Sequence, residues 1–232
     1  MKPLKYFDVV VSFFVAALLI SNISSSAKIV DWGFSIFGLR LAFDAGTLLF
    51  PISYIFGDIL TEVYGYQKAR RAIWIGFFMS AIMSGYFLLV QKMPGEEQWL
   101  LYAGNDAYSS ILGGVSTGGI VIASLCAYLF GELSNSVILA KMKVLMNGRY
   151  LWMRTIGSTL IGQIIDSVIF VTIACLLGVF PWEIAVSLII ANYIFKVSIE
   201  VLFTPLTYKI VDFLKKEEGL DYFDTNTKFS IV

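Results

Sequence analysis

Three stretches of the chain, residues 9–27, 72–90 and 107–131, run for 19 residues or more without one charged side chain. A bilayer core about 30 Å thick takes about 20 helical residues to cross, and a backbone inside it must satisfy its own hydrogen bonds. Such runs read as transmembrane helices. Composition agrees, because 58% of the 232 residues are hydrophobic and 15% are charged, whereas a soluble domain carries about a quarter charged residues.

Three further segments are apolar but interrupted. Residues 41–64 contain Asp44, Asp58 and Glu62; residues 155–178 contain Asp166; residues 184–208 contain Lys196 and Glu200. A half-length apolar piece would leave backbone groups unpaired in hydrocarbon, so each is expected to complete a crossing. The prediction is an all-α integral membrane protein with six transmembrane helices. The first run is too long for the apolar core of a cleavable signal. Residues 1–216 form one membrane domain, and residues 217–232 a cytoplasmic C-terminal tail.

With the N-terminus inside, thirteen Lys and Arg residues fall on the cytoplasmic side, against Lys28, Arg40 and Lys92 outside. That bias places both termini in the cytoplasm. Residues 91–106, with Glu96, Glu97 and Asp106, become the main external loop. Trp74, Trp152 and Trp182 fall near span ends, where aromatic anchors sit.

The chain has no histidine, which excludes His-ligated metals and Ser-His-Asp catalysis together. Cys126 and Cys175 lie inside spans and read as small core residues. No phosphate loop is present, so nucleotide hydrolysis by this chain is not expected. Neither a cofactor nor a metal is predicted, and no nucleic-acid partner.

What remains is a set of polar groups inside spans. A charge at the centre of a spanning helix costs about 2.5 to 3.5 kcal/mol even on the mildest scale, so such residues face a bundle interior and mark function. Thr155, Thr159, Gln163 and Asp166 lie on one face of the fifth span. Asn192, Lys196 and Glu200 follow at i, i+4 in the sixth, and Glu132 and Asn135 in GELSNS sit at the cytoplasmic end of the fourth. Asp166 lies on the order of 18 Å above Arg154, near the midplane, and Asp58 and Glu62 lie in the inner half. The stripes converge on a binding cavity between mid-membrane and the cytoplasm. Structural alternatives stand beside this reading: an intrahelical Lys196–Glu200 ion pair, Glu62 at the interface with Lys68 or Arg70, and Asp44 paired with Arg40.

Pro51 removes a backbone hydrogen bond and disfavours helix at Phe50, which predicts a break of the second span in mid-membrane. Transporters place discontinuous helices at their substrate sites. The inner half of this span, with Asp58 and Glu62, is expected to act in gating or coupling.

The segments LLFPISYIFGDILTEVYGYQKARRAIW, GELSNSVILAKMKV and RTIGSTLIGQIIDSVIF resemble the bacterial queuosine precursor transporter family, within the wider vitamin uptake transporter group. The resemblance covers about residues 7–216. It implies a six-helix inner-membrane importer of 7-deazaguanine bases, notably 7-cyano-7-deazaguanine and its 7-aminomethyl relative, for queuosine in tRNA; some relatives salvage queuine. For such a purine-like ligand, Asp166 or Glu132 would accept the adjacent N–H groups of the base edge. Gln163 or Asn135 would complement its carbonyl, and Tyr54 would offer an aromatic face. Two other readings stay open: a substrate-binding membrane subunit energised by a separate ATPase complex, and an intramembrane enzyme with paired aspartates. The bilayer is the expected surrounding, and homo-oligomer formation is left open.

Overall fold

The computed structural model describes residues 4–36, 39–116 and 119–231. Among these residues eight α-helices follow in order: α1 (Phe7–Ala27), α2 (Phe50–Tyr64), α3 (Tyr66–Gln91), α4 (Glu97–Tyr102), α5 (Gly104–Ser116), α6 (Gly119–Leu145), α7 (Leu151–Leu176) and α8 (Ala185–Glu218). Between α1 and α2, strands β1 (Ile29–Ile36) and β2 (Leu39–Asp44) pair antiparallel. Among the described residues five stretches are long and apolar enough to cross a membrane: α1, α3, α5 with α6, α7, and α8 with the short turn before it.

Three expectations change here. The segment 41–64 is not one helix: it runs through β2 and a 3-10 turn before α2 begins. The stretch IVDWGFSI is rich in β-branched and aromatic residues, which suit a pleated surface. The 15 residues of α2 reach about 22 Å, short of the hydrocarbon thickness. Pro51 therefore stands in the first turn of α2 and not at a mid-helix break, because a first-turn N–H has no intrahelical acceptor to lose. The fourth span is also displaced. Its early part is α5 and its body is α6, which continues to Leu145, so Glu132 and Asn135 lie in mid-helix. The side chains of Arg40 and Asp44, for which a pair is expected, lie outside the described residues.

The helix α2, too short to span the bilayer alone, is the most enclosed. Twelve of the 15 residues of α2 are buried, against α1, α3, α6 and α8, so its polar side chains meet protein and not lipid. Its Ile55, Ile59 and Leu60 join Val10, Phe14 and Leu18 of α1 and Ala72 and Ile73 of α3 in the main core. Lipid-facing stripes run along the outside at helical spacing, Phe78, Ile82 and Tyr86 on α3 and Val186, Ile190 and Ile194 on α8.

Glycines set the tightest crossing. A Cβ on Gly131 would lie 2.8 Å from Asp166 Cβ, and one on Gly162 would lie 2.8 Å from Asn135 Cβ and 3.1 Å from the Gly131 carbonyl oxygen. Only hydrogen at both positions lets α6 and α7 approach this closely.

The helix ends gather the basic residues. The backbone N–H groups of Lys5 and Tyr6, just before α1, donate to the Glu218 carboxylate at the end of α8 (2.9 and 2.8 Å). Glu62 in the last turn of α2 meets Lys143 near the end of α6, Arg154 at the start of α7 and Lys215 in the last turn of α8. One basic end thus holds the starts of α1, α3 and α7 and the ends of α2, α6 and α8. The segment after α8 folds back over it: the Tyr222 N–H donates to the Val63 carbonyl, and Asp224 accepts from the Tyr66 N–H that opens α3. The Tyr66 hydroxyl donates to the Ser230 carbonyl, and Trp74 Nε1 to that of Ile231.

Candidate functional site

Two polar clusters lie along α2. The first is central, where α2, α6, α7 and α8 meet, and it contains Asp58, Glu132, Asn135, Gln163, Asp166, Lys196 and Glu200. Asn135 Nδ2 donates to Asp58 Oδ1 at 2.6 Å. Lys196 pairs with Asp166 and stands 5.8 Å from the centre of the Tyr54 ring. Glu200 faces Asp58 and Glu132, and Glu132 in turn lies within electrostatic reach of Asp166. A Cβ on Gly57 would fall 2.7 Å from Glu132 Oε2, so glycine one residue before Asp58 makes room for that carboxylate.

The cluster is buried, and its loose ends share one chemistry. Asp58, Glu132 and Glu200 are each 1% exposed, Gln163 5%, and Asn135 and Asp166 6%. Six of their buried oxygens meet no hydrogen-bond donor among the described residues: Asp58 Oδ2, Glu132 Oε2, Asn135 Oδ1, Gln163 Oε1 and both Glu200 oxygens. A buried acceptor without a donor costs about 1 to 3 kcal/mol, more if charged. All six belong to side chains that could turn toward a ligand rich in N–H groups.

The alternative Lys196–Glu200 pair does not form. The Lys196 ammonium reaches across to Asp166 of α7, leaving Glu200 without a cation. The i, i+4 spacing permits the intrahelical pair but does not require it, and a chain crossing that brings another carboxylate nearer decides the matter. Tyr54 has Lys196 over its ring, and Asn192 is half-buried with no side-chain hydrogen bond among the described residues.

The second cluster holds Glu62. Its carboxylate is fully buried and accepts from Arg154 through two nitrogens (2.5 and 3.2 Å) and from Lys215 (2.6 Å), with Lys143 at 3.4 Å. These partners exclude the alternative pairing with Lys68 or Arg70; Lys68 lies instead over the rings of Phe7 and Tyr64. Asp221 of the folded-back segment completes the cluster, 2.5 Å from Lys143 and 3.0 Å from Lys215. A hydrogen bond between Thr61 and Ser136 (3.0 Å) lies between the two clusters along α2 and α6.

Sequence reasoning missed Arg154, Lys143 and Lys215 as partners of Glu62, and the glycines that let the helices meet. A readable signal existed in part: Arg154 directly precedes Thr155, the first residue of the polar stripe, and a buried acid calls for a cation on a neighbouring span.

The sequence profile described as "Putative vitamin uptake transporter" matches residues 44–210, which holds every member of the central cluster. A "Probable queuosine precursor transporter" of Bacillus subtilis is 27% identical over 188 residues, covering 79% of this chain and 77% of that protein. One of Haemophilus influenzae with the same description is 24% identical over 168 residues, 72% of this chain and 67% of the other. A "Queuosine precursor transporter" of Escherichia coli is 23% identical over 193 residues, 82% and 81%. No solved structure matches the chain.

Proposed function

Because the chain belongs to the vitamin uptake transporter family, we propose that it imports queuosine precursors, 7-deazaguanine bases such as 7-cyano-7-deazaguanine and 7-aminomethyl-7-deazaguanine. It is a multi-pass transporter of the bacterial inner membrane, as its relatives' names and its apolar helices indicate. The observation that carries the substrate reading is the set of six donor-less oxygens in the central cluster. A guanine-type edge presents adjacent ring and amino N–H groups, and a further N–H lies on its five-membered ring. Such a base supplies the missing donors without bringing acceptors of its own into conflict with most of the site.

Within this reading Glu132, with Oε2 free, accepts from the base edge, and Gln163 and Asn135 flank it from α7 and α6. Asp166 has the supporting role of holding Lys196 beside Tyr54. The basic end faces the cytoplasm: it gathers both chain ends and the cations that the positive-inside rule assigns there. The helix α2, with the hairpin before it, completes a sixth crossing. The Glu62 cluster then closes the path from the central site to the cytoplasm.

The test is uptake of labelled 7-deazaguanine bases into proteoliposomes holding this chain alone. Saturable uptake above protein-free vesicles, blocked by unlabelled base and not by uracil, is the expected result. Binding in detergent without uptake would instead favour a subunit that needs a separate energising complex, and no binding of either base would overturn the substrate reading.

A further inference from the structure

Positive charge is distributed unevenly between the two clusters. At the basic end one buried acid, Glu62, draws Arg154, Lys215 and Lys143. In the centre four acids, Asp58, Glu132, Asp166 and Glu200, share one cation, and Lys196 is committed to Asp166. The chain thus compensates a buried carboxylate generously in one place and leaves Asp58 Oδ2, Glu132 Oε2 and both oxygens of Glu200 without a donor in the other. Dry carboxylates without counter-charge are among the most costly groups a fold can hold.

A neutral base answers only half of this. Its N–H groups meet acceptors, and the uncharged acceptors Asn135 Oδ1 and Gln163 Oε1, on the α6–α7 side, suit that edge. The donor-less carboxyl oxygens, Asp58 Oδ2 and both of Glu200, lie on the α2–α8 side, where the two side chains face each other. We infer that the preferred substrate enters as a cation: a base bearing a protonated primary amine, whose ammonium seats between Asp58 and Glu200 while its ring edge meets Glu132, Asn135 and Gln163. An aliphatic amine is protonated at pH 7 for the same reason that lysine is, and its three N–H donors form charge-assisted bonds with the carboxylates. The inference rests on the deazaguanine reading above and adds the charge of the substituent.

The experiment compares two probes of one ring, the 7-aminomethyl and the 7-cyano base, by calorimetric titration of the full chain in detergent at pH 7. The amine is expected to bind at least about tenfold more tightly than the nitrile, a step of about 1.4 kcal/mol. In Glu200→Gln, and separately in Asp58→Asn, the ratio of amine to nitrile affinity is expected to fall toward one. The ratio is read within each variant, so a general loss of active protein cancels from it. Equal or tighter binding of the nitrile by the native chain would overturn the inference and leave the deazaguanine reading standing. Failure of both probes to bind would remove that reading as well. A ratio unchanged in both variants would place the ammonium elsewhere and overturn the seat assigned here.

Discussion

At the scale of single residues, the central cluster turns on which groups are already paired. Lys196 and Asp166 form a mutual, largely buried pair. Removing one partner of such a pair typically costs about 3 to 5 kcal/mol, whereas replacing both by apolar side chains is often neutral. Lys196→Met is therefore expected to lower the melting temperature in detergent clearly, and Lys196→Met with Asp166→Leu to recover most of the loss. A double variant no more stable than the single one would show that the pair is not what holds these side chains in place. Glu132 is the opposite case, since its Oε2 is free. Glu132→Gln puts a donor toward the donors of the base, and base affinity should fall by about one to two powers of ten with the melting temperature kept, a loss of about 1 to 3 kcal/mol. Native affinity in that variant would remove Glu132 from the base edge.

At the scale of helices, Pro51 and the glycines behave differently. Because Pro51 occupies the first turn of α2, Pro51→Ala restores no hydrogen bond; it releases conformational freedom in the unfolded chain and should cost about 0.4 to 1 kcal/mol. Uptake by the variant should match the native rate, and a strong loss of uptake with binding intact would mean that the start of α2 bends during transport. Gly162→Leu, by contrast, drives a side chain into Asn135 and the α6 backbone and should abolish the folded protein in size-exclusion profiles. The long uncharged helices were legible from composition and run length alone, and so were the stripes that carry Gln163 and Asp166 on one helix and Glu200 on the next. The extent of α2 was not legible, because hydropathy cannot separate a buried 15-residue helix preceded by strands from one continuous span. Nor was the partner of Lys196, since Glu200 and Asp166 are both within reach and only the crossing of α7 and α8, set by packing, chooses between them.

At the scale of the whole molecule, the segment after α8 joins helices that are distant in the chain. Asp221 is partly desolvated, which alone would raise its pKa, yet hydrogen bonds and charge from Lys143 and Lys215 hold its carboxyl below the usual carboxylate range. A carboxyl depressed in the folded state contributes stability above its unfolded pKa, near 3.9, and loses that contribution as pH falls through the lower folded value. Limited proteolysis of residues 219–231 should therefore stay slow at neutral pH and accelerate as pH drops below about 4. Asp221→Asn should show faster cleavage already at pH 7 and a flatter pH dependence. Because Asp221 is nearly half exposed, salt should reduce the difference between the two proteins. Identical cleavage profiles would mean that the contacts of Tyr222, Asp224 and Ser230 hold the segment without it.

The enclosure of α2 also bears on how the chain is made. A 15-residue helix with Asp58 and Glu62 is a poor guest in bare lipid, where each acid near the centre is costly to insert. The cations that neutralise Glu62 are synthesised much later: Lys143, Arg154 and Lys215 follow it by 81, 92 and 153 residues. A translating ribosome thus delivers the acids of α2 well before the residues that make them tolerable. The full set of partners for Glu62 exists only once α6, α7 and α8 have all followed, so α2 gains its final surroundings late in synthesis.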